Sequence, residues 1–291
     1  MDIDISVQIS TYNRKDLVVR TVRELFEQDY PKDKYEIVVI DDGSSDDTCP
    51  AVNALEAPCN LICERMKHSG IAKTRNRGAE LAHGKYILFL DDDMVPSPTL
   101  ISGHMKVHRE YPGSVVKGWV NHVEDLENIK GKKPEFTIKD YASAFFLGGN
   151  GSLAKADFIK AGGFDEDFRE YGWEDLELGF KLRNMGLVSR FSKEAVGFHY
   201  KTRWKKDELP GILKQARAKG RTAVIFLNKH NHWRIKLATG IYGPRLLLNN
   251  LVNFFGKKLF EGIIEKYDKE ELTGLALFSA HQLFKFEYFN A

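Results

Sequence analysis

A chain of 291 residues, 43% of them hydrophobic and 29% charged, has enough apolar material for one large α/β domain or two domains of ordinary size. Nine prolines and no polar low-complexity tract exclude a disordered, collagen-like or disulfide-stapled scaffold. The formal charge of +2 hides a division: residues 201–260 hold 14 Lys and Arg against 2 Asp and Glu, while the rest of the chain is net acidic. Cys49, Cys59 and Cys63 are odd in number and lack paired metal-ligand spacing, so they are expected as free thiols in a reducing cytoplasm. The opening MDIDISVQIS has no signal-peptide pattern. The most apolar window, Leu237 to Phe255, is interrupted by Pro244, Arg245 and asparagines, so no membrane span is expected.

In chain order, Ile3, Ile5, Val7 and Ile9 alternate with polar residues and predict a strand; Leu17, Val18, Val22, Leu25 and Phe26 then recur at helical spacing. Tyr35 to Ile40, Leu61 to Cys63 and Tyr86 to Leu90 are short apolar runs that read as buried strands. Ile71 to Ala82 reads as a helix closed by His83-Gly84. Val115 to His122 is strand-like, a helix is expected from Glu174 to Met185 with Gly186 as its cap, and beyond Asp207 the pattern is helical and basic. Repeated strand and helix units of this kind build a mostly parallel sheet covered by helices. The division expected is a domain over 1–204, with a first half over about 1–95 and a second over about 96–204, followed by a basic helical region over 205–291.

Ligands of such sheets bind beyond the carboxyl ends of the strands, and three polar clusters fall there. Asp91, Asp92 and Asp93 end the YILFL strand. Three carboxylates at a buried strand end repel one another unless a cation or donors offset them. Hard oxygen ligands suit Mg²⁺ or Mn²⁺ beside a substrate diphosphate. Alternation aims Asp91 and Asp93 to one side and Asp92 to the other; the bland reading is a solvated acidic turn. Asp41-Asp42-Gly43-Ser44-Ser45 can accept the ring N–H of a uracil or a ribose hydroxyl, or is simply a turn in which Ser45 or Asp46 caps the next helix. Arg75, within HSGIAKTRNRG, can pair with a diphosphate. In GWEDLEL, Glu174 and Asp175 open a helix whose dipole favours an ionised base, and Trp173 offers a flat face to a sugar ring. His199 is either a structural histidine or the completion of a metal shell begun by Asp93.

The ordered set VQISTYNR, IVVIDDGSSDDT, GIAKTRNRGAELAHGKYILFLDDDM, GGNGSLAKADFIKAGGFDEDF and GWEDLELGFKLRNMG resembles the family 2 glycosyltransferases of GT-A fold. Its latter half is similar to the galactosyltransferase-type segment of polypeptide N-acetylgalactosaminyltransferases and chondroitin-type polymerases. The resemblance spans about residues 5–200 in five blocks. It implies a Rossmann-like α/β fold with a helical C-terminal extension. It also implies inverting transfer of a sugar from a nucleotide-diphosphate sugar, a UDP-sugar, to an acceptor hydroxyl in polysaccharide, glycolipid or glycoprotein synthesis. Thr11, Tyr12, Asn13, Asp41, Asp42, Arg75, Asp91 and Asp92 would then bind the donor, and Asp93 and His199 would hold Mn²⁺ or Mg²⁺. Trp173, Gly148, Gly149 and Asn150 would line the sugar and acceptor site. The pair at 174 and 175 matches the family's ED motif with Asp175 as base, although the extra glycine that often precedes that pair is missing, which keeps Glu174 in play.

Two other classes use parts of the same residues. LFLDDDMV formally fits the signature of haloacid-dehalogenase-type phosphatases, but that reading leaves DDGSS unused. A non-catalytic nucleotide-sugar-binding subunit would need the donor residues without the ED pair. The basic segment 205–291, rich in Leu, Phe and Trp, is suited to peripheral contact with an anionic membrane at its inner face, to a lipid-linked or glycan acceptor, or to plain solvation. Nucleic acid is not expected as a partner.

Overall fold

The computed structural model describes residues 2–126, 129, 132, 134, 135 and 144–291; within its C-terminal helices the side chains of 248 and 250–255 are outside the description. The chain forms two compact units. One comprises the chain up to Arg169 together with Glu174–Lys201, the other Glu170–Trp173 with Thr202–Ala291.

The first unit is built on strands β1 (Ile5–Thr11), β2 (Tyr35–Asp41), β3 (Asn60–Arg65), β4 (Tyr86–Asp91), β5 (Met94–Pro96), β6 (Ser114–Val123), β7 (Asn150–Ala154) and β8 (Val188–Tyr200). They form one sheet in the order β3-β2-β1-β4-β7-β6-β8-β5. The first four strands are parallel, β7 runs antiparallel to both β4 and β6, β6 and β8 are parallel, and β5 closes antiparallel on β8. Helices α1 (Lys15–Phe26), α2 (Thr48–Asn53), α3 (Ile71–Leu81), α4 (Leu100–Glu110), α5 (Lys155–Lys160) and α6 (Glu174–Asn184) connect them.

Burial on both faces explains why the strand sequences are continuous apolar runs. Along β4, Leu88 and Leu90 join a core with Val7, Ile9, Val39 and the α1 stripe Val18, Val22 and Leu25. Ile87 and Phe89 turn to the opposite core with Phe146, Phe158, Phe164 and Leu178. Phe89 lies edge-on to Phe146 and Phe164; truncating such a ring costs about 3–5 kcal/mol. The chain leaves β1 toward β2 and β3 on one side and returns to β4 on the other, so the carboxyl ends of β1 and β4 flank a topological switch point.

Three local expectations change. Gly186 does end α6 with φ +86°, but α3 ends at Ala82 in an extended conformation. Gly84 instead serves close approach, since a Cβ there would stand 2.5 Å from the Ser6 backbone nitrogen. Asp47, with φ 55° and no side-chain cap, precedes α2, so neither Ser45 nor Asp46 is its N-cap. Cys49 on α2 and Cys63 on β3 form a disulfide with Cα atoms 5.8 Å apart, and only Cys59 is free. An odd count excludes complete pairing but not one pair, and packing of α2 on β3 supplies it. The support that three thiols lent to a reducing compartment therefore falls away.

The second unit contains α7 (Leu209–His230), α8 (Trp233–Thr239), α9 (Gly243–Glu265) and α10 (Gly274–Phe289). Leu209, Ile264, Leu272, Ala276, Ala280 and Leu283 form its core. Among the described residues, no helix is long and apolar enough to cross a membrane.

Candidate active site

The sheet register brings the polar strand ends together. β8 lies between β6 and β5, so His199 stands opposite Met94 on one side and His122 on the other. That register carries His199 to Asp93, whose carbonyl accepts from the Tyr200 N–H at 3.0 Å. One ligand atom from each of Asp91, Asp93 and His199 lies within 4.8 Å of the others. His199 Nε2 is 2.9 Å from Asp93 Oδ1, yet that buried oxygen accepts no well-formed hydrogen bond. Three ligand-type atoms so close together form a group that could hold one metal ion. Two carboxylates and an imidazole suit Mn²⁺, and the oxygens suit Mg²⁺. On the far side of the ring, His199 Nδ1 lies 3.2 Å from His122 Nδ1, the outer contact that fixes a ligating imidazole.

Asp92 and Asp93 lie in the turn that follows β4 rather than in the strand, so strand alternation does not set their directions. Asp92 accepts from Thr11 Oγ1 at 2.8 Å and from Arg14 at 3.0 Å, and the same Arg14 nitrogen donates to Asp93 at 2.9 Å. Burial pushes Asp92 up to about 6, only partly opposed by Arg14 and Thr11. Asp93 moves the other way: burial would raise it, but close contact with His199 and its charge, with Arg14, hold it below the usual range. His199 is the complement, disfavoured as a cation by burial and raised on balance by Asp93 and Asp91. Burial, with neighbouring Asp93 and Asp175, also raises Asp91 against the pull of Arg75 and His199.

The ED pair opens α6, where the acidic residues of the first turn meet the positive end of the helix. Glu174 is buried; its Oε1 accepts from Arg75 at 3.1 Å and its Oε2 has no hydrogen-bond partner. Burial and Asp175 raise it, with Arg75 opposing. Arg75 also reaches Asp91 Oδ1 at 3.4 Å, with its guanidinium 5.2 Å above the Phe164 ring. Arg75 thus ties the strand-end carboxylate to the helix-start carboxylate. Asp175 is less buried and accepts from its neighbour Leu176 N–H at 2.9 Å and Gly148 N–H at 3.4 Å.

The antiparallel β4/β7 pairing explains the loop between them. Leu90 faces Asn150, so Gly149 falls beside Asp91, and a Cβ on it would stand 2.2 Å from Asp91 Oδ2. A Cβ on Gly148 would stand 2.6 Å from Arg75. These two residues therefore touch both halves of the site. Asn150 does not line it, contrary to expectation. It is fully buried, with Oδ1 bonded to His104 and Nδ2 to the carbonyls of Trp119 and Ala195. Trp173 is also displaced from the expected role. Its indole is buried, its N–H donates to the Lys219 carbonyl at 2.9 Å, and its ring lies near Phe226 and Tyr288, so it is a packing residue of the second unit.

At the β1 and β2 ends, Tyr12 is exposed and stacks on His68 with centroids 4.6 Å apart. Asn13 Oδ1 accepts from Ser45 N–H, and the Asn13 N–H donates to Ser44 Oγ. Asp41 accepts from Ser44 N–H at 2.8 Å. The oxygens of Asp42 accept from Ser69 and Gly70 N–H at 2.7 and 3.0 Å. Both carboxylates thus pin the loops beneath the Tyr12–His68 stack. Arg14 and His122 were not singled out from sequence. The TYNR block contains Arg14, but only its contact with two carboxylates gives it a role, and His122 becomes meaningful only through β6/β8 pairing.

At 32% identity over 229 residues, the chain is similar to validoxylamine A glucosyltransferase of Streptomyces hygroscopicus subsp. limoneus, a match covering 66% of this chain and 51% of that one. The chain thus spans about half the length of that relative. The structure of S. aureus TarS 1-349 in complex with UDP-GlcNAc superposes with a TM-score of 0.57 at 19% identity, covering 99% of this chain and 90% of that one. Mannosyltransferase PcManGT from Pyrobaculum calidifontis, in complex with GDP-Man and Mn²⁺, gives 0.58 at 18% identity, covering 97% and 86%. Both share the GT-A-like fold: a mostly parallel mixed sheet flanked by helices. With residues 6–168 matching the description "Glycosyl transferase family 2", the chain belongs to that family.

Proposed function

We propose that the protein transfers a sugar from a UDP-sugar to an acceptor hydroxyl of a growing polysaccharide, glycolipid or glycoprotein, with inversion at the anomeric carbon. One observation carries this reading: the Asp91, Asp93 and His199 donors converge beside the start of α6, and the Gly148–Gly149 loop and Arg75 contact both. Asp91, Asp93 and His199 would hold Mn²⁺ or Mg²⁺, which when bound neutralises charge on a departing diphosphate. Tyr12 and His68 offer an open aromatic pair against which a nucleobase can lie. Asp41 and Asp42 keep the loops of that slot in place.

Glu174 is committed to Arg75, which leaves Asp175 as the carboxylate able to accept a proton from an acceptor hydroxyl as its oxygen attacks. The relatives named above support the donor class: one is a glucosyltransferase, and the solved structures hold UDP-GlcNAc and GDP-Man with Mn²⁺. The test is nucleoside diphosphate release from UDP-glucose, UDP-galactose, UDP-N-acetylglucosamine and GDP-mannose, with and without EDTA. Asp175→Asn is expected to lower turnover by about 10²–10⁴-fold with donor binding retained. Turnover indifferent to EDTA and to Asp93→Asn would remove the metal role, near-normal turnover of Asp175→Asn would remove the base, and turnover of GDP-mannose alone would replace the donor.

A further inference from the structure

From Leu209 to Phe260 the chain carries ten Lys and Arg and no Asp or Glu. Within this stretch α8 buries one side among the described residues. Ile235 and Thr239 are buried, and the Thr239 carbonyl accepts from Tyr288 O–H at 2.8 Å. The opposite side of the helix is apolar and open, with Trp233 60% and Leu237 58% exposed. Arg234 and Lys236 are exposed between them, the Arg234 guanidinium 5.3 Å above the Trp233 ring. The first turn of α9 adds exposed Pro244 and Arg245, and a Cβ on Gly240 would stand 3.0 Å from the Arg245 guanidinium, so this third cation sits at the end of α8. Leu247, 64% exposed, lies in the first turns of α9.

We infer that the surface formed by Trp233, Arg234, Lys236, Leu237, Arg245 and Leu247 docks on an anionic lipid bilayer surface. The composition separates lipid from the other polyanions. An indole and two leucine side chains interleaved with cations can enter the boundary between headgroups and acyl chains while the cations stay with lipid phosphates. A nucleic acid backbone offers the leucines nothing to cover them. A one-signed cationic patch fits a one-signed surface, and the bilayer supplies both the negative charge and the apolar layer that these side chains need. The inference is independent of the transfer chemistry and concerns where the protein works.

The test is flotation of the full chain with vesicles of phosphatidylcholine containing about 30% phosphatidylglycerol, against phosphatidylcholine alone, at about 0.1 M salt. Binding to the anionic vesicles, weak binding to the neutral ones and a blue shift of tryptophan emission are expected. Arg234→Gln with Lys236→Gln should lower the partition coefficient about 25-fold, the product of about fivefold for each cation near an anionic membrane. Trp233→Ser with Leu237→Ser should remove the emission shift and lower binding at least about tenfold, with unfolding transitions unchanged in both variants. Equal binding to both vesicle types, no binding, or variants that bind like the parent would overturn the assignment. So would a stable dimer that Trp233→Ser with Leu237→Ser converts to monomer, because the patch would then be a contact between copies, or retention on a nucleic acid column that the same variants abolish while vesicles are ignored.

Discussion

His104 and His108 sit one turn apart on the buried side of α4, and their protonation gives the fold a calculable weakness in acid. His104 Nε2 is 2.8 Å from Asn150 Oδ1, and both His104 Nδ1, at 2.8 Å, and His108 Nε2, at 2.7 Å, meet Ser152 Oγ. Asn150 spends its N–H groups on two carbonyls, so its oxygen must accept and His104 Nε2 must carry a proton. His104 Nδ1 then accepts from Ser152, which accepts from His108 Nε2–H. A chain running in this sense needs the His104 ring neutral, while His108 donates through Nε2–H in either state and has no hydrogen-bond partner at its buried Nδ1 among the described residues. Burial favours the neutral state of both: it pulls His104 down to about 4, with the Asn150 bond opposing, and His108 down to about 3, with His104 adding to the effect.

Unfolded histidine titrates near 6.5. Below that pH the unfolded chain therefore binds protons that the native chain refuses, and stability falls with acid until the native values are reached. Each ring contributes at most about 1.4 kcal/mol per pH unit, and because unfolded histidine is only partly protonated at about pH 6 the pair should cost about 2 kcal/mol between about pH 6 and pH 5. Urea denaturation across this range measures it. His108→Phe keeps a ring beside Tyr86, which His108 stacks on at 4.1 Å, and should remove half of the dependence. His199 is raised rather than lowered; its stabilising contribution is full below the unfolded value and fades as pH rises through the native one, the opposite sign. Being common to both proteins, it cancels in the comparison. Identical pH slopes for parent and variant would refute the reasoning.

Arg75→Met should destabilise the first unit by about 3–5 kcal/mol by stranding the Glu174 carboxylate in a buried site, and adding Glu174→Gln should restore much of it; urea midpoints at neutral pH decide. Gly149→Ala forces Asp91 aside and should weaken Mn²⁺ binding about 10–100-fold with the fold intact, as disturbing the support of a ligand does elsewhere; titration calorimetry with Mn²⁺ reads it directly. Reducing the Cys49–Cys63 bond reopens a loop of separation 14 and should cost about 3 kcal/mol, measured as a shift in urea midpoint that the Cys49→Ser, Cys63→Ser double variant does not show.

The parallel half of the sheet was legible because two-sided burial writes itself as uninterrupted apolar strands: Tyr35–Asp41 and Tyr86–Asp91 were bounded to within a residue. Asp91 and Asp93 do come together with His199, though the expected strand alternation does not carry them there, because the chain turns after Asp91. What failed was what depends on partners distant in the chain. Asn150 reads as a loop residue beside two glycines until β7 pairs with β4 and β6 and buries it. Trp173 reads as an exposed platform because nothing in GWEDLEL shows that the indole will find the Lys219 carbonyl. The cysteines were misread because parity was allowed to stand for pairing, when proximity of α2 to β3 decides it.

The assignment left open within the ED motif shows how burial divides adjacent carboxylates. Glu174 and Asp175 share a helix end and a dipole, so nothing local separates them. Arg75 does, by ending between Asp91 and Glu174. A proton accepted by Glu174 would weaken that bridge and loosen Asp91, an oxygen of the Asp91–Asp93–His199 group would shift with it, and the two halves of the site would be coupled against turnover. Asp175 lies outside the bridge, bonded among the described residues to backbone N–H groups, and can change protonation without moving the strand-end carboxylates. Arg75→Lys should therefore disturb Mn²⁺ affinity and base function together, whereas Asp175→Asn should abolish turnover and leave Mn²⁺ affinity near that of the parent.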